Sequence, residues 1–210
     1  MISAFVIDDH SLVREGIKKI INDETDMEVV GESSDGLGVL ELVRECNPDI
    51  IILDITLPHK SGLELLKDIK KEFKHLPVLI LSMHPEDRYA IRALRNGASG
   101  YLTKESIPIE IVTAIHKIIN GGKYISSSLG EKLAVSLETW SDKPLHDNLS
   151  DREFQIMLMI AAGKKVSEIS EELLLGAATV NTYRARVFDK MGFSSNIELT
   201  HYVLENKLID

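Results

Sequence analysis

The sequence predicts an α/β fold, a parallel sheet covered on both faces, followed by a small all-helical domain. Three observations carry this. Strand and helix patterns alternate five times between residue 3 and about 120, which is the signature of βαβ units. Ile50-Ile51-Ile52-Leu53, bounded by Pro48 and Pro58 and ending in Asp54, is a run of branched aliphatics of the kind a strand buried on both faces requires. From residue 149 onward only helical periodicity remains.

The strands are placed at 3–8, 27–32, 49–54, 77–82 and 98–102, with helices at 11–22, 35–46, 62–73, 86–96 and 107–120 between and after them. The first helix shows Val13, Ile17, Ile20 and Ile21 on one face, the last Ile111, Ala114, Ile115 and Ile118. Gly121-Gly122 stops the fifth helix. Beyond it, 124–140 has room for a short helix, and the polar, proline-containing SDKPLHDN reads as a linker. The predicted organisation is a first domain at 1–122, a linker at 123–148 and a helical domain at 149–210. Ser150-Asp151-Arg152-Glu153 is a capping box that opens a helix ending at Gly163. Helices at 167–174 and 178–191, separated by a turn at Leu175-Gly176, form a helix-turn-helix pattern, and a fourth helix spans 196–206.

Composition narrows the function. At 210 residues with 44% apolar content the chain suits one large or two small globular domains. No apolar stretch reaches the roughly 20 residues of a membrane span, and no leader pattern precedes the first strand, so a cytoplasmic protein with no membrane partner is expected. The lone Cys46 reads as a structural thiol in a reducing compartment. Net charge is −9, against non-specific nucleic-acid binding. Residues 145–210 hold seven Lys/Arg against ten Asp/Glu, yet five of the seven bases fall between Lys164 and Lys190. Any DNA surface is therefore a local stripe on an acidic body.

Strand ends place chemistry at the mouth of an open α/β sheet. Asp8-Asp9 end the first strand, Asp54 the third, Ser82 the fourth, and Tyr101-Leu102-Thr103-Lys104 the fifth. Three carboxylates at one edge repel unless a cation lies among them, and an all-oxygen donor set with few carboxylates favours Mg²⁺ over a calcium cage. Lys104 offers a further positive charge to a phosphoryl oxygen, and a carboxylate such as Asp54 can itself be the nucleophile that forms an aspartyl-phosphate.

Asp8-Asp9, Asp54 with Pro58 and Gly62 after it, Ser82 followed by Met83-His84, and Lys104 together resemble the receiver domain of two-component response regulators, over residues 2 to 122. The resemblance implies a flavodoxin-like doubly wound (βα)₅ sheet of strand order 2-1-3-4-5, a phosphoryl group received by Asp54 from a sensor histidine kinase, and Mg²⁺ held by Asp9, Asp54 and the Thr56 carbonyl with Asp8 assisting. It also implies a switch in which the Ser82 hydroxyl moves onto the phosphoryl group while the Tyr101 ring turns inward; the alternative for Tyr101 is an ordinary half-buried strand aromatic. Thr56 and His84 stand where they would tune the lifetime of the phosphorylated state. Glu105 after Lys104, where many receivers have proline, is shared with the NarL/FixJ branch.

Residues 149 to 200 resemble the LuxR-type helix-turn-helix domain of that branch, in wording most like its GacA-like members. Helical spacing turns Val180, Tyr183, Val187 and Met191 inward and Asn181, Thr182, Ala185, Arg186 and Asp189 outward. Asn181 and Thr182 are placed to reach base edges, Lys164, Lys165, Arg184 and Arg186 to meet phosphates, and Thr179 to hold a phosphate at the helix start. Gly176 and Ala177-Ala178 depart from the family's usual serine and basic residue, which lowers monomer affinity and makes a homodimer on promoter DNA the expected binding form. Leu199, Tyr202 and Val203 are the residues expected to supply exposed apolar contacts for it, with packing inside the domain as the alternative. The implied function is phosphorylation-switched transcription control, with RNA polymerase as a further partner, and not an enzyme. Two other readings stay open: a Mg²⁺-dependent phosphatase of the haloacid-dehalogenase kind, against which Thr56 stands where the second Asp would be, and a regulator that binds DNA without phosphorylation.

Overall fold

The computed structural model of the chain describes residues 1–83, 86–127, 129–131 and 144–209. His84 and most of the short helix expected within 124–140 lie outside them. The chain divides into two compact units, 1–131 and 132–210.

The first unit runs β1 (Ile2–Ile7), α1 (Ser11–Asn22), β2 (Met27–Ser33), α2 (Val39–Cys46), β3 (Ile50–Asp54), α3 (Gly62–Glu72), β4 (Val78–Ser82), α4 (Glu86–Arg95), β5 (Gly100–Thr103), a 3₁₀ turn at Lys104–Ser106 and α5 (Ile107–Ile119). The strands are all parallel in the order β2-β1-β3-β4-β5, as expected. Every residue of β3 and β4 is buried, because helices cover both faces of these central strands. Ala4, Val6, Ile50, Ile52, Leu79 and Leu81 pack against Ile17 and Ile21 of α1 and Ile111 and Ile115 of α5. The alternate residues Phe5, Ile7, Ile51, Leu53 and Ile80, equally buried, serve the opposite face. Gly31 of β2 is fixed by packing: a Cβ there would lie 2.5 Å from the Phe5 ring and 2.9 Å from the sulfur of Cys46, which is a free, half-buried thiol.

One boundary differs from expectation. α2 begins at Val39 rather than near 35, because Asp35 Oδ1 accepts the N–H of Leu37 at 2.7 Å and Gly38 takes a left-handed conformation (φ 67°), holding 35–38 in a turn. At the other end α5 stops as expected, with Gly121 at φ 83°. The chain then returns to the sheet: the Tyr124 N–H donates to the Ser99 carbonyl and the Tyr101 N–H donates to the Tyr124 carbonyl, both at 3.0 Å. Gly100 permits this approach, since a Cβ there would sit 2.8 Å from the Tyr124 oxygen.

In the second unit a 3₁₀ turn (Leu145–Asn148) precedes α6 (Asp151–Ala161), α7 (Val166–Leu173), α8 (Ala177–Met191) and α9 (Asn196–Glu205). The Ser150 capping box forms in both directions, Glu153 N–H to Ser150 Oγ at 3.3 Å and Ser150 N–H to Glu153 Oε2 at 2.8 Å. Gly163 ends α6 with φ 82°. Val180, Val187 and Met191 of α8 are buried and Tyr183 half-buried, while Asn181, Thr182, Ala185, Arg186 and Asp189 are exposed.

α9 is oriented otherwise than its sequence suggested. Leu199 and Val203 are wholly buried inside the unit, and Tyr202 is half-buried with its hydroxyl 2.9 Å from His146 Nδ1. They are core residues, because α9 packs directly on α6. The exposed apolar side chains on this helix are Ile197 and Leu204.

The turn between α7 and α8 places its left-handed residue at Leu174 (φ 49°), whereas Gly176 has an ordinary N-cap conformation, φ −66° and ψ 145°, with only Thr179 Oγ1 within 4 Å of an added Cβ. Gly176→Ser therefore adds a helix cap with no strain. We expect it to raise stability by a few tenths of a kcal/mol or more in urea unfolding of the full chain. A loss of stability would show that the turn needs glycine.

Candidate functional site

The carboxyl edge of the sheet gathers side chains from β1, β3 and the end of β5. Parallel pairing puts Asp54 at the end of β3 next to Leu81 of β4, and Ser82 next to Thr103 of β5. Asp8 and Asp54 are both buried, and the Lys104 ammonium lies between them, 2.7 Å from Asp8 Oδ2 and 2.8 Å from Asp54 Oδ2. The Thr56 N–H donates to Asp54 Oδ1 at 3.3 Å. Asp9 lies at the exposed rim, paired with His10. Ser82 and Tyr101 are both enclosed, Tyr101 wholly rather than half-buried.

The backbone around Asp54 is shaped by Gly62. A Cβ on Gly62 would lie 2.0 Å from the Asp54 carbonyl oxygen, and its N–H donates to the Ile55 carbonyl at 2.8 Å. The Ser61–Glu64 capping box starts α3 at this point. Only glycine lets the helix begin so close to the strand end. Between them, His59 is exposed with φ 63°, a left-handed conformation uncommon outside glycine.

One ammonium is shared by two buried carboxylates, and the site is correspondingly unbalanced. Burial pushes the Asp54 carboxyl up to about 7, and the nearby Asp8 adds to the shift; the Lys104 charge and hydrogen bond and the Thr56 N–H offset part of it. Burial also opposes the Lys104 charge, but Asp54 and Asp8 more than compensate and hold it above the ordinary lysine range. The donor oxygens of Asp8, Asp9 and Asp54, with a ring nitrogen of His10, all lie within 4.8 Å of one another. Excess negative charge and clustered hard donors fit a divalent cation such as Mg²⁺.

His10 and Arg14 were not singled out from sequence. The His10 N–H donates to Asp8 Oδ1 at 2.8 Å, and the Arg14 guanidinium donates to the Asp8 carbonyl at 2.7 Å. The adjacency Asp8-Asp9-His10 was the available signal for the first. For the second the signal was the one-turn spacing from His10 to Arg14, which only the orientation of α1 makes useful.

On the second unit the outer residues of α8 line one exposed face. Two of the expected phosphate ligands, Lys164 and Arg184, are engaged within it. Lys164 pairs with Glu172, and the Arg184 guanidinium donates to Asn196 Oδ1 at 3.0 Å and stacks on Phe188. Lys190 is 2.6 Å from Glu153. Arg186 lies over the Tyr183 ring, and Lys165 and Thr179 are exposed. The Thr182 hydroxyl donates to the Ala178 carbonyl at 2.9 Å, which leaves Asn181 as the polar side chain of that pair without an internal bond among the described residues.

Comparison with known proteins covers both units. The response regulator receiver domain family matches residues 4–116, and the luxR family of bacterial regulatory proteins matches 147–203. The chain is similar to response regulator UvrY of Escherichia coli strain K12, 38% identical over 99% of this chain and 96% of that one. It is equally similar to response regulator GacA of Pseudomonas aeruginosa, 37% identical over 100% and 99%. Among solved structures, a LuxR-family response regulator from Aurantimonas sp. SI85-9A1 is 36% identical with a TM-score of 0.59, over 64% of this chain and 96% of that one. RcsB of Salmonella enterica serovar Typhimurium, bound to a promoter with the phosphomimetic BeF₃⁻, has a TM-score of 0.65 at 23% identity, over 97% and 99%, a likeness of fold alone.

The carboxyl of Asp54 yields a stability prediction. Its value near 7 lies above the roughly 3.9 of a free aspartate, so between about pH 4 and 7 the folded chain keeps a proton that the unfolded chain has released. Stability contributed by this group is thus full below pH 4 and lost as pH rises through 7, a cost of at most about 4 kcal/mol at pH 8. Asp54→Asn should melt higher than the parent at pH 8 in EDTA, by a margin that shrinks toward pH 5 and on adding Mg²⁺. A margin independent of pH would place the Asp54 charge elsewhere than in a buried, unbalanced pocket.

Proposed function

The chain belongs to the response regulators that join a receiver domain to a LuxR-type DNA-binding domain, and on that footing we propose that Asp54 accepts a phosphoryl group from a sensor histidine kinase and that the phosphorylated chain binds promoter DNA as a dimer. The observation that carries the proposal is the buried Asp54 carboxylate beside the Lys104 ammonium at the open edge of the sheet. An Asp54 oxygen attacks phosphorus, a P–O bond forms, and the P–N bond to the kinase imidazole breaks as that ring leaves. Lys104 supplies fixed positive charge next to the acceptor oxygen. Mg²⁺, held by Asp9, Asp54 and the Thr56 carbonyl with Asp8 assisting, would neutralise charge on the phosphoryl oxygens.

Ser82 and Tyr101 act as the switch pair, the hydroxyl gaining a charge-assisted hydrogen bond in the phosphorylated state alone. Thr56 and His84 set how fast water removes the group. The domains run 1–122 and 149–210, joined by a linker. The chain works in the cytoplasm, where its DNA is, with RNA polymerase as a further partner at the promoter. It is a switch and not an enzyme with turnover: Thr56 stands where a dehalogenase-like phosphatase has its second Asp.

Incubating the purified chain with a radiolabelled small phosphodonor and Mg²⁺ tests this. We expect up to one phosphoryl group per chain, none on Asp54→Asn, and DNA affinity that rises with labelling. Continuous release of phosphate would favour the phosphatase, and unlabelled chain with full DNA affinity the phosphorylation-independent regulator.

On DNA, Lys165→Ala should weaken cognate and random sequences alike and reduce the salt slope by about one. Asn181→Ala should cost about 1–3 kcal/mol on the cognate site and far less on random DNA. Glu172→Gln frees Lys164 from its ion pair and should tighten both. Equal losses on both DNAs for Lys165→Ala and Asn181→Ala would move base reading to Arg186.

A further inference from the structure

His10 is the one nitrogen donor in the cluster of Asp8, Asp9, His10 and Asp54, whose four donor atoms all lie within 4.8 Å of one another. Donors bound to a single ion at about 2.1 Å stand about 3 Å apart when adjacent and about 4.2 Å apart when opposite, so this cluster has nearly the span of one coordination sphere. His10 Nδ1 is 2.7 Å from Asp9 Oδ1 and 3.4 Å from Asp8 Oδ1. Its peptide is anchored by the N–H to Asp8 Oδ1 at 2.8 Å, while its ring makes no capping bond to α1 and is 59% exposed. The ring is therefore held at the pocket mouth, with its Nδ1 directed at the carboxylates of Asp9 and Asp8. Inside, Lys104 is the one ammonium between two buried carboxylates among the described residues, a charge deficit that a divalent ion would relieve.

We propose that His10 is a metal ligand of the phosphoacceptor pocket and gives it a preference for late first-row divalent ions such as Co²⁺ and Zn²⁺ over Mg²⁺. The inference rests on the reading of this pocket as the cation site. Its chemistry is that of the donor: imidazole binds borderline ions well and adds little for Mg²⁺, which takes oxygen ligands and keeps its waters. The phosphoacceptor site thereby distinguishes between metals, which three carboxylates alone would do weakly.

Isothermal titration of the full chain with MgCl₂, CoCl₂ and ZnCl₂, with Co²⁺ binding also followed by visible absorption, tests the proposal. The variants are His10→Gln and Asp54→Asn. In the parent, Co²⁺ and Zn²⁺ should bind at least about tenfold more tightly than Mg²⁺ and compete with it, and Asp54→Asn should weaken all three. His10→Gln should lose about tenfold or more for Co²⁺ and Zn²⁺, with the cobalt spectrum shifted, while Mg²⁺ affinity stays within twofold. Equal loss for all three metals, or none, would overturn the role of His10 and leave the cation site standing. If Asp54→Asn binds every metal as the parent does, the pocket is not the cation site and both readings fail.

Discussion

The Lys104 ammonium held between the buried carboxylates of Asp8 and Asp54 is the interaction on which the first unit turns. It joins the ends of β1, β3 and β5, three elements far apart in sequence. It also leaves two buried carboxylates sharing one ammonium, and burial, with Asp8 adding to it, raises the Asp54 carboxyl. A well-packed sheet would not tolerate that imbalance for stability alone. Such an imbalance is the kind of local cost that folds keep at functional sites, where binding of an oppositely charged ligand can recover it.

The surroundings keep that imbalance in place. Fully buried β3 and β4 give the acids a rigid, low-dielectric base. Gly62 brings the start of α3 against the Asp54 carbonyl, so the residues after the acceptor have little freedom. Tyr101 lies in the strand next to β4, its ring enclosed and its N–H bonded to Tyr124 just past α5. Tyr101 is thus tied through its backbone to the segment just past α5.

The helical unit solves a different electrostatic problem. Its bases are few, and Lys164, Lys190 and Arg184 are engaged by Glu172, Glu153 and Asn196. These contacts organise the loops around α8 but lower the charge available to phosphates. Fewer free charges mean fewer counterions released per copy on a polyanion, so this unit relies on a narrow stripe rather than on a broadly basic surface.

Local patterns carried much of this molecule. The buried aliphatic run into Asp54, the five alternations, the capping box at Ser150 and the inward stripe of α8 depend on neighbours within about a turn or a strand, and each was legible in the sequence. Acids at strand ends were legible too, because parallel strands deliver their carboxyl ends to one edge. What needed the tertiary structure were facts about distance across the fold. The side of α9 that is core was one, since Leu199 and Val203 fit either face by periodicity and only packing on α6 decides. Others were the Lys164–Glu172 pair and the need for Gly31 and Gly62. The place of His10 among the acids belongs with them. Periodicity encodes which residues share a face; what that face meets is settled only when chain segments far apart in sequence compete for the same volume.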